Sequence, residues 1–341
     1  MYFFTLFINS VNMVYMKCIE LTNSIYKVSH YLSMEEYFLE TKKECFFIWN
    51  IEPSIVIGKN QIAQIEVNMP YAKEKSITIY RRPSGGGAIY ADEGCFMYSF
   101  VVKKDNVENL YKNNLSKICN ALNKLNIAAS LSGRNDILFN NQKISGVAIQ
   151  IKNDYAVVHG TMLYKSNFDE MTKLLTPSRI KLESNGIKSI KSRVINLSDY
   201  LPFNSKYEFM KYLENEISEN NKDNIISLSK NEIDIINRKE QIYLNSDYLN
   251  TKIPYSYKQS KKFKSGLITV YFKIINNIIK DVTISGDFFE INDVKEIGEL
   301  FINKQFNKDN IFNIIDNIDI SKYIYDINNE EFKELFDNEF S

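Results

Sequence analysis

The sequence predicts an α+β protein with a mixed, largely antiparallel sheet, flanking helices and a small α+β domain toward the C-terminus. Strand-like runs alternate with few helical segments before residue 219, and short turns rather than regular crossover helices join most of them. The texture then changes at 219–230, where ENNKDNIISLSK is polar and rich in asparagine. With 341 residues, the chain is long enough for one large domain and a smaller one.

Each element of the larger part is predicted from its hydrophobic pattern. The predicted strands are 46–51, 77–82, 95–102, 136–139, 143–151 and 156–163. Helices are predicted near 29–42 and 107–125. In the second helix, apolar residues recur at intervals of three and four, which gives the helix one apolar face. These residues are Val107, Leu110, Tyr111, Leu115, Ile118, Leu122 and Leu125.

The domain prediction has four parts: an extension at 1–15, a large domain at 16–219, a linker at 220–247 and a small domain at 248–341. The small domain should contain two strands followed by two helices, with bounds of 266–274, 278–284, 294–302 and 310–318. The apolar run near the N-terminus lacks a basic flank and is interrupted early by polar residues, so a signal peptide or membrane anchor is disfavoured.

Composition excludes several classes of function. Lys plus Arg and Asp plus Glu each number 42, so no overall positive field favours nucleic acid or an anionic membrane as a partner. Two histidines rule out a polyhistidine metal site. The four cysteines show no C-x-x-C spacing, which favours a reducing compartment. We therefore expect a cytoplasmic protein with neither a nucleic-acid nor a membrane partner.

A glycine-rich segment, YRRPSGGGAIYADEG at 80–94, is the first candidate site. Gly85, Gly86 and Gly87 permit positive φ and let an anionic ligand approach backbone N–H groups, although three glycines alone are more typical of a flexible hairpin tip. The phosphate-loop and dinucleotide-binding patterns are both absent. Arg81 and Arg82 should point to opposite faces at a strand end, so we expect one to bind a phosphate or carboxylate and the other to be solvated or ion-paired.

A second candidate site is the hairpin predicted within SGRNDILFNNQKISGVA. Asn140 and Asn141 suit a two-residue turn, because asparagine tolerates positive φ. A regular register then pairs Phe139 with Gln142, Leu138 with Lys143, Ile137 with Ile144, and Asp136 with Ser145. Asp136, Leu138, Lys143 and Ser145 should share one face, opposite Ile137, Phe139, Ile144 and Ala148. Asp136 and Lys143 become diagonal neighbours, which by itself is typical of a surface ion pair.

Five ordered motifs suggest a family. RRPSGGGAIY, GRND, QKISG, HGTMLY and SNGIKSIKSRVINL resemble those of bacterial long-type lipoate-protein ligases over 26–201, and ISGDFF at 284–289 resembles that family's accessory domain. The resemblance implies the biotin/lipoyl protein ligase fold. It also implies an ATP-dependent ligase that makes lipoyl-AMP and transfers the lipoyl group to a lysine of a lipoyl domain. Implied partners are lipoyl domains of 2-oxoacid dehydrogenase complexes or the glycine cleavage H protein.

The resemblance also implies a set of site residues. Lys143 is the implied catalytic residue and touches both reacting groups, while Asp136 is the implied ligand of Mg²⁺. The implied ATP-binding residues are Arg82, Gly87, Ala88, Ile89, Tyr90, Asn135, Asp136 and Lys143. The implied lipoate-binding residues are Gly85, Gly86, Lys143, Ser145, Gly146, His159, Gly160 and Thr161. Lys181, Arg193 and 185–195 are expected in a loop that closes over the adenylate.

Two features bear on alternatives. The chain has Ala91 after Tyr90 where a familiar form of the motif has histidine, which weakens any role expected of that position but does not affect Arg82 or the glycines. A lipoyl or octanoyl transferase would use a cysteine thioester, for which Cys95 is the candidate near the motifs. A non-catalytic adenylate-binding protein of the same fold also remains open. A biotin ligase is disfavoured because its G-R-G-R-x-G-R loop is absent.

Overall fold

The computed structural model describes residues 16–21, 24–133, 135–175, 192–245 and 255–337. Within these ranges, three sheets contain fourteen strands. In chain order the strands are β1 Cys18–Ile19, β2 Cys45–Trp49, β3 Ser54–Ile57, β4 Thr78–Arg81, β5 Ile89–Ala91, β6 Cys95–Lys103, β7 Ser130–Ser132, β8 Asp136–Phe139, β9 Gln142–Lys152, β10 Tyr155–Leu163, β11 Ile225–Ile226, β12 Tyr257–Phe263, β13 Gly266–Ile275 and β14 Ile278–Gly286.

The main sheet has the strand order β11-β1-β2-β6-β10-β9-β8-β7. Strand β1 is parallel to both β11 and β2, whereas every pairing from β2 to β7 is antiparallel. A small second sheet has the order β4-β3-β5, and the third sheet has the order β12-β13-β14. The prediction of a mixed, largely antiparallel sheet is therefore confirmed.

Helices cover both faces of the main sheet. The described α-helices are α1 Val28–Thr41, α2 Ala63–Glu66, α3 Met69–Glu74, α4 Val107–Lys124, α5 Phe168–Leu174, α6 Lys206–Ile217, α7 Lys230–Leu244, α8 Lys295–Phe301, α9 Lys308–Asp316 and α10 Asn329–Lys333. Helix α4 buries the apolar face predicted for it and is capped by Asn106, whose side chain accepts a hydrogen bond from the Asn109 N–H. No helix in the described ranges is both long and apolar enough to cross a bilayer.

Two hydrophobic cores lie on opposite faces of the main sheet. One core contains Phe46, Phe100 and Ile118 and packs against α4 and α6. The other contains Trp49, Phe38 and residues of α7. Because successive residues of β2 point to opposite faces, Phe46 and Phe47 enter different cores.

The segment expected as a linker at 220–247 instead contributes secondary structure to the larger part. Strand β11 extends the main sheet next to β1, and α7 packs on α1. Helix α7 begins with a capping box formed by Ser229 and Glu232, and it buries Ile236 and Tyr243 in the second core. The polar composition at 219–230 therefore marks a connection within the domain. The extension expected at 1–15 lies outside the described residues.

The small C-terminal domain has its own core. The two predicted strands are present as β13 and β14, and the two predicted helices as α8 and α9. Strand β12 was missed because it reads YKQSKKF and lies at an edge of its sheet, where alternate residues are exposed. Phe272, Phe288 and Phe301 are fully buried in a hydrophobic cluster separate from those of the larger part.

Candidate active site

A cavity of about 120 Å³ lies where β6, β9 and β10 meet residues 82–88, which we call the glycine loop. Most of the residues predicted for the site line this cavity. They are Arg82, Gly86, Gly87, Ala88, Ile89, Asn135, Lys143, Gly146, His159, Gly160 and Thr161. Met97, Val147 and Ala148 also line it and were not predicted. The motifs at 82–89, 135–148 and 159–161, well separated in the chain, therefore meet around one cavity.

Arg82 holds the glycine loop from its buried side. Its Nη2 donates to the carbonyl oxygens of Gly85 at 2.7 Å and Gly87 at 2.8 Å, and its Nη1 donates to the Val56 carbonyl oxygen at 3.1 Å. Gly86 has a φ of +90°, which a residue with a side chain rarely adopts. Burial lowers the pKa of Arg82 to about 10. The guanidinium thus fixes the curvature of the loop, besides lining the cavity.

Arg81 is buried, so the expectation that the second arginine could be solvated does not hold. It is 6% exposed, and its Nη1 donates to the carbonyl oxygens of Gly58, Lys59 and Gln61. Arg81 is thus buried like Arg82. The backbone that follows β3 passes around the end of β4, and its carbonyl groups accept hydrogen bonds from the Arg81 guanidinium.

The hairpin of β8 and β9 contains a bulge that the predicted register lacks. Asn140 and Asn141 both have positive φ, as the two-residue turn requires. Leu138 pairs with Lys143 as predicted, but Ile137 pairs with Ser145, so that Ile144 is the extra residue. Ile144 and Ser145 are consequently both fully buried, and the Ser145 hydroxyl lies 2.8 Å from the Tyr98 hydroxyl. The prediction that Ser145 shares a face with Lys143 is wrong.

Lys143 and Asp136 form the ion pair expected from their proximity. The Lys143 Nζ lies 2.8 Å from Asp136 Oδ1, and both side chains are 34% exposed. Because the bulge shifts the alternation, Gly146 lies beside this pair. A Cβ at Gly146 would lie 2.5 Å from the Lys143 Nζ. The glycine therefore provides the space that the ammonium group occupies.

The segment that follows residue 191 pairs with the backbone of Lys143. The Lys143 N–H donates to the Arg193 carbonyl oxygen at 2.7 Å, and the Ile195 N–H donates to the Lys143 carbonyl oxygen at 3.1 Å. The end of the SNGIKSIKSRVINL motif thus lies along β9 at the candidate catalytic lysine. Lys181 and the part of the expected loop at 185–191 lie outside the described residues.

His159 has partners on both ring nitrogens. Its Nε2 lies 2.7 Å from the Ser84 hydroxyl, and its Nδ1 lies 2.8 Å from a carboxylate oxygen of Glu35. Sequence reasoning missed both partners. The available signal for Glu35 was a charged residue on an otherwise apolar face of α1, between Tyr31 and Phe38.

Four of the residues predicted for the site lie outside the lining of this cavity: Ser145, which is described above, Gly85, Tyr90 and Asp136. Gly85 lies behind the loop, where a Cβ would meet the Phe288 carbonyl oxygen at 2.4 Å. Tyr90 packs with the apolar residues around β3. Asp136 lines a larger neighbouring cavity of about 860 Å³, which shares Asn135 with the first one and is bounded by both domains.

Comparison with known proteins identifies the family. A family model described as the lipoyl protein ligase A/B catalytic domain matches residues 27–218, and one described as the bacterial lipoate protein ligase C-terminus matches residues 252–336. The chain is 33% identical over 314 residues to lipoate-protein ligase LplJ of Bacillus subtilis, covering 89% of this chain and 95% of that protein. The chain belongs to the lipoate-protein ligases. It is an ATP-dependent ligase that activates lipoate and transfers it to protein.

Other matches agree with this assignment. Lipoate–protein ligase 1 of Staphylococcus aureus is 32% identical over 317 residues, covering 88% of this ligase and 94% of that protein. The structure of P. falciparum LipL1 in complex with lipoate has the same fold, with a TM-score of 0.76, 24% identity, and coverage of 94% of this chain and 97% of that one. A bipartite ligase from Thermoplasma acidophilum superposes with a TM-score of 0.61 at 22% identity, over 70% of this chain and 98% of that one.

The cysteines of the ligase do not suit a thioester mechanism. Cys18, Cys45, Cys95 and Cys119 are all buried. Burial raises the pKa of the Cys95 thiol to about 12, so that almost none of it is thiolate near neutral pH. The reading of Cys95 as a transferase nucleophile therefore has no support in its surroundings.

The accessory domain of the ligase contacts the glycine loop directly. The Gly86 N–H donates to the Phe288 carbonyl oxygen at 3.0 Å. On the neighbouring connection, Lys59 pairs with Glu290 at 2.9 Å, and the Gly286 N–H donates to the Asn60 carbonyl oxygen at 3.0 Å. The turn that contains the ISGDFF motif thus packs against the loop at the edge of the cavity.

Proposed function

We propose that Lys143 is the catalytic cation of adenylate formation. The observation that supports this proposal is the placement of its ammonium group, which lines the cavity formed by all three motif segments and pairs with Asp136 at 2.8 Å. The lipoate carboxylate attacks the α-phosphorus of ATP, forming an acyl–phosphate bond as pyrophosphate leaves. A fixed cation offsets the repulsion between the two anions and stabilises charge on the transferring group. No covalent intermediate with the protein is required.

The glycine loop and the ends of the central strands divide the binding of the two substrates. Backbone groups of residues 87–89 hold the nucleotide phosphates, because Gly87 and Ala88 have little or no side chain that would block their approach. His159, Gly160 and Thr161 of β10 and Gly146 of β9 bound the lipoate side of the cavity. Asn135 lines both cavities. We therefore propose that the bound nucleotide extends past Asn135 into the larger cavity, which both domains line.

Mg²⁺ enters this site as part of the nucleotide substrate. No group of three or more His, Cys, Asp or Glu side chains in the described ranges could hold a resident metal ion. Mg²⁺ commonly keeps several waters and binds through substrate phosphates with one or two carboxylates. Asp136 suits this role, since its carboxylate is partly exposed and lies at the boundary of the two cavities.

In the second half of the reaction, a lysine amine of the acceptor attacks the lipoyl carbonyl and AMP leaves. We propose that the acceptor is a lipoyl domain of a 2-oxoacid dehydrogenase complex or the glycine cleavage H protein, in the cytoplasm. One of the similar structures is an archaeal lipoate-protein ligase described together with its E2 lipoyl domain. Four free, buried cysteines and the need for ATP are in keeping with that compartment.

A reconstituted reaction tests these proposals. The full chain is mixed with lipoate, ATP, Mg²⁺ and an apo lipoyl domain, and acceptor mass and released pyrophosphate are measured. We expect a stoichiometric lipoyl adduct that depends on ATP and is abolished by chelation of Mg²⁺. Modification of the acceptor from an octanoyl carrier protein without ATP would instead indicate a transferase. Pyrophosphate release without acceptor modification would contradict the assigned acceptor alone.

A further inference from the structure

A chain of buried hydrogen bonds connects the glycine loop to the middle of helix α1. The Arg82 Nε lies 3.0 Å from the Ser84 hydroxyl oxygen, which lies 2.7 Å from His159 Nε2. The other ring nitrogen of His159 lies 2.8 Å from Glu35 Oε1. Ser84, His159 and Glu35 are each at most 2% exposed. These hydrogen bonds thus join the glycine loop, β10 and α1 out of contact with solvent.

The chemistry of the groups fixes the direction of each bond. The Arg82 guanidinium can only donate, and an ionised Glu35 carboxylate can only accept. His159 therefore donates from Nδ1 to Glu35, and in a neutral ring its Nε2 accepts from the Ser84 hydroxyl. The Ser84 oxygen in turn accepts from Arg82. A neutral imidazole in the Nδ1–H form matches every donor in this chain with an acceptor.

Glu35 also supplies a negative charge that compensates the buried Arg82 guanidinium. The acceptors of the Arg82 guanidinium described above are carbonyl and hydroxyl oxygens, which leave its positive charge without a contacting carboxylate. A buried cation that lacks a counter-charge is strongly destabilised. Glu35 is the carboxylate whose field raises the pKa of Arg82 against the lowering caused by burial. Glu35 itself is held by the Ser99 hydroxyl, which accepts from the Trp49 Nε1–H at 2.8 Å.

We propose that Glu35 is a positioning residue of the ligase, which acts through His159 and Ser84 to hold Arg82 and hence the glycine loop. This inference rests on the ligase activity and assigns Glu35 no contact with the substrates. Loss of the Glu35 charge should weaken the hydrogen bonds from Arg82 to the carbonyl groups of Val56, Gly85 and Gly87. The loop N–H groups would then be misaligned with the nucleotide, although every residue at the cavity remained.

Three variants test the coupling: Glu35→Gln, Ser84→Ala and their combination. Glu35→Gln keeps the size of the side chain and one acceptor oxygen but removes the charge. We expect kcat/KM for ATP in lipoate-dependent pyrophosphate exchange to fall by roughly 10- to 100-fold in each single variant, the scale for misplacement by about 1 Å. The double variant should be no worse than the poorer single variant, because both break one chain. If the two substitutions acted independently through packing, their fold losses in kcat/KM would multiply in the double variant.

Glu214→Gln is the matched control. Glu214 is also a buried glutamate, 1% exposed, but it lies on α6 and does not line either cavity. We expect this variant to retain wild-type kinetics. If Glu35→Gln gives too little folded protein, Ser84→Ala alone still tests the chain, because it removes one hydroxyl. Wild-type kinetics in Ser84→Ala, or multiplied losses in the double variant, would overturn the proposal.

Imidazole nitrogen NMR provides a readout that packing alone would not change. The protein has two histidines, so the His159 signals are assigned by comparison with a His159→Gln variant, and His30 serves as the internal reference. We expect the His159 ring in the Nδ1–H form in wild-type protein and a redistributed tautomer in Glu35→Gln. An Nε2–H form or an imidazolium in the wild type at neutral pH would refute the assigned direction of the chain.

Discussion

Replacing Gly146 by alanine tests whether the position of the Lys143 ammonium, as well as its charge, controls adenylate formation. A Cβ at residue 146 would lie 2.5 Å from Lys143 Nζ and 2.6 Å from Cε, whereas ordinary contact begins at 3.4 Å. The end of the lysine side chain must therefore move by about 1 Å. Gly146 is absent from the residues with positive φ, so alanine introduces no backbone strain of that kind.

The expected magnitude follows from this displacement. A shift of about 1 Å at a reacting group can reduce the rate by about 100-fold. Stability should change little, because alanine in a strand gains about 0.5–1 kcal/mol over glycine, and the displaced ion pair, one-third exposed, contributes about 0–1 kcal/mol. We therefore expect pyrophosphate exchange to fall by roughly 10- to 100-fold at an almost unchanged thermal midpoint.

The control is the same substitution in a Lys143→Ala background. Binding of a non-hydrolysable lipoyl-adenylate analogue, measured by calorimetry, remains accessible when turnover is lost. We expect Gly146→Ala to weaken this binding in the wild-type background and to have no effect once Lys143 is truncated. An equal loss in both backgrounds would show that the added methyl group blocks the ligand directly. A wild-type exchange rate in Gly146→Ala would refute the positional argument altogether.

Four further predictions concern the same machinery. Lys143→Ala should abolish pyrophosphate exchange with little change in thermal midpoint, since the side chain is one-third exposed and leaves no core cavity; near-normal exchange would remove its catalytic assignment. Arg82→Ala should weaken nucleotide use by ~1.5–3 kcal/mol and also lower the thermal midpoint, because buried carbonyl groups lose their donor. Gly86→Val should impair ATP kinetics more, because residue 86 has a positive φ, and wild-type ATP kinetics in this variant would indicate a plain hairpin tip. Cys95→Ala should keep ligase activity, because burial raises the thiol pKa to about 12; loss of acceptor modification with intact folding would revive the thioester alternative. A chain ending at Asn245 should still transfer from supplied lipoyl-adenylate but lose most activity from lipoate and ATP, since the glycine loop loses its contact with the accessory domain; full activity, or insoluble protein, would contradict a supporting domain with a separate core.

The hairpin at the site shows how far sequence reasoning extends. Its turn could be predicted locally, because two consecutive asparagines between strand-like runs favour the positive φ that a two-residue turn requires, and both residues do have positive φ. The bulge was not predictable in the same way. A regular register and a bulged one satisfy the hydrophobic pattern of β9 about equally. The bulged register brings the Ser145 hydroxyl within 2.8 Å of the Tyr98 hydroxyl on β6, a contact that no local spacing in β9 indicates.

Glu35 illustrates a second limit. Its partners are 64 and 124 residues away in the chain, at Ser99 and His159, so no local spacing indicates the contact. The error at 220–247 is different in kind, since a readable signal was present there. Ser229 and Glu232 form a capping box that precedes the apolar positions of α7, and this pattern identifies a helix start despite the polar surroundings.

The bulge at Ile144 makes the candidate catalytic face sensitive to the register of β9. An uninterrupted ladder beyond the pair of Leu138 and Lys143 would join Ile137 to Ile144 and Asp136 to Ser145, which sheet geometry alone would favour. Ser145 would then lie on the face of Lys143, and Gly146 would turn to the opposite face. A regular strand would thus remain well paired while placing a side chain, instead of a hydrogen atom, against the lysine. The site depends on an irregularity that the sheet itself does not need.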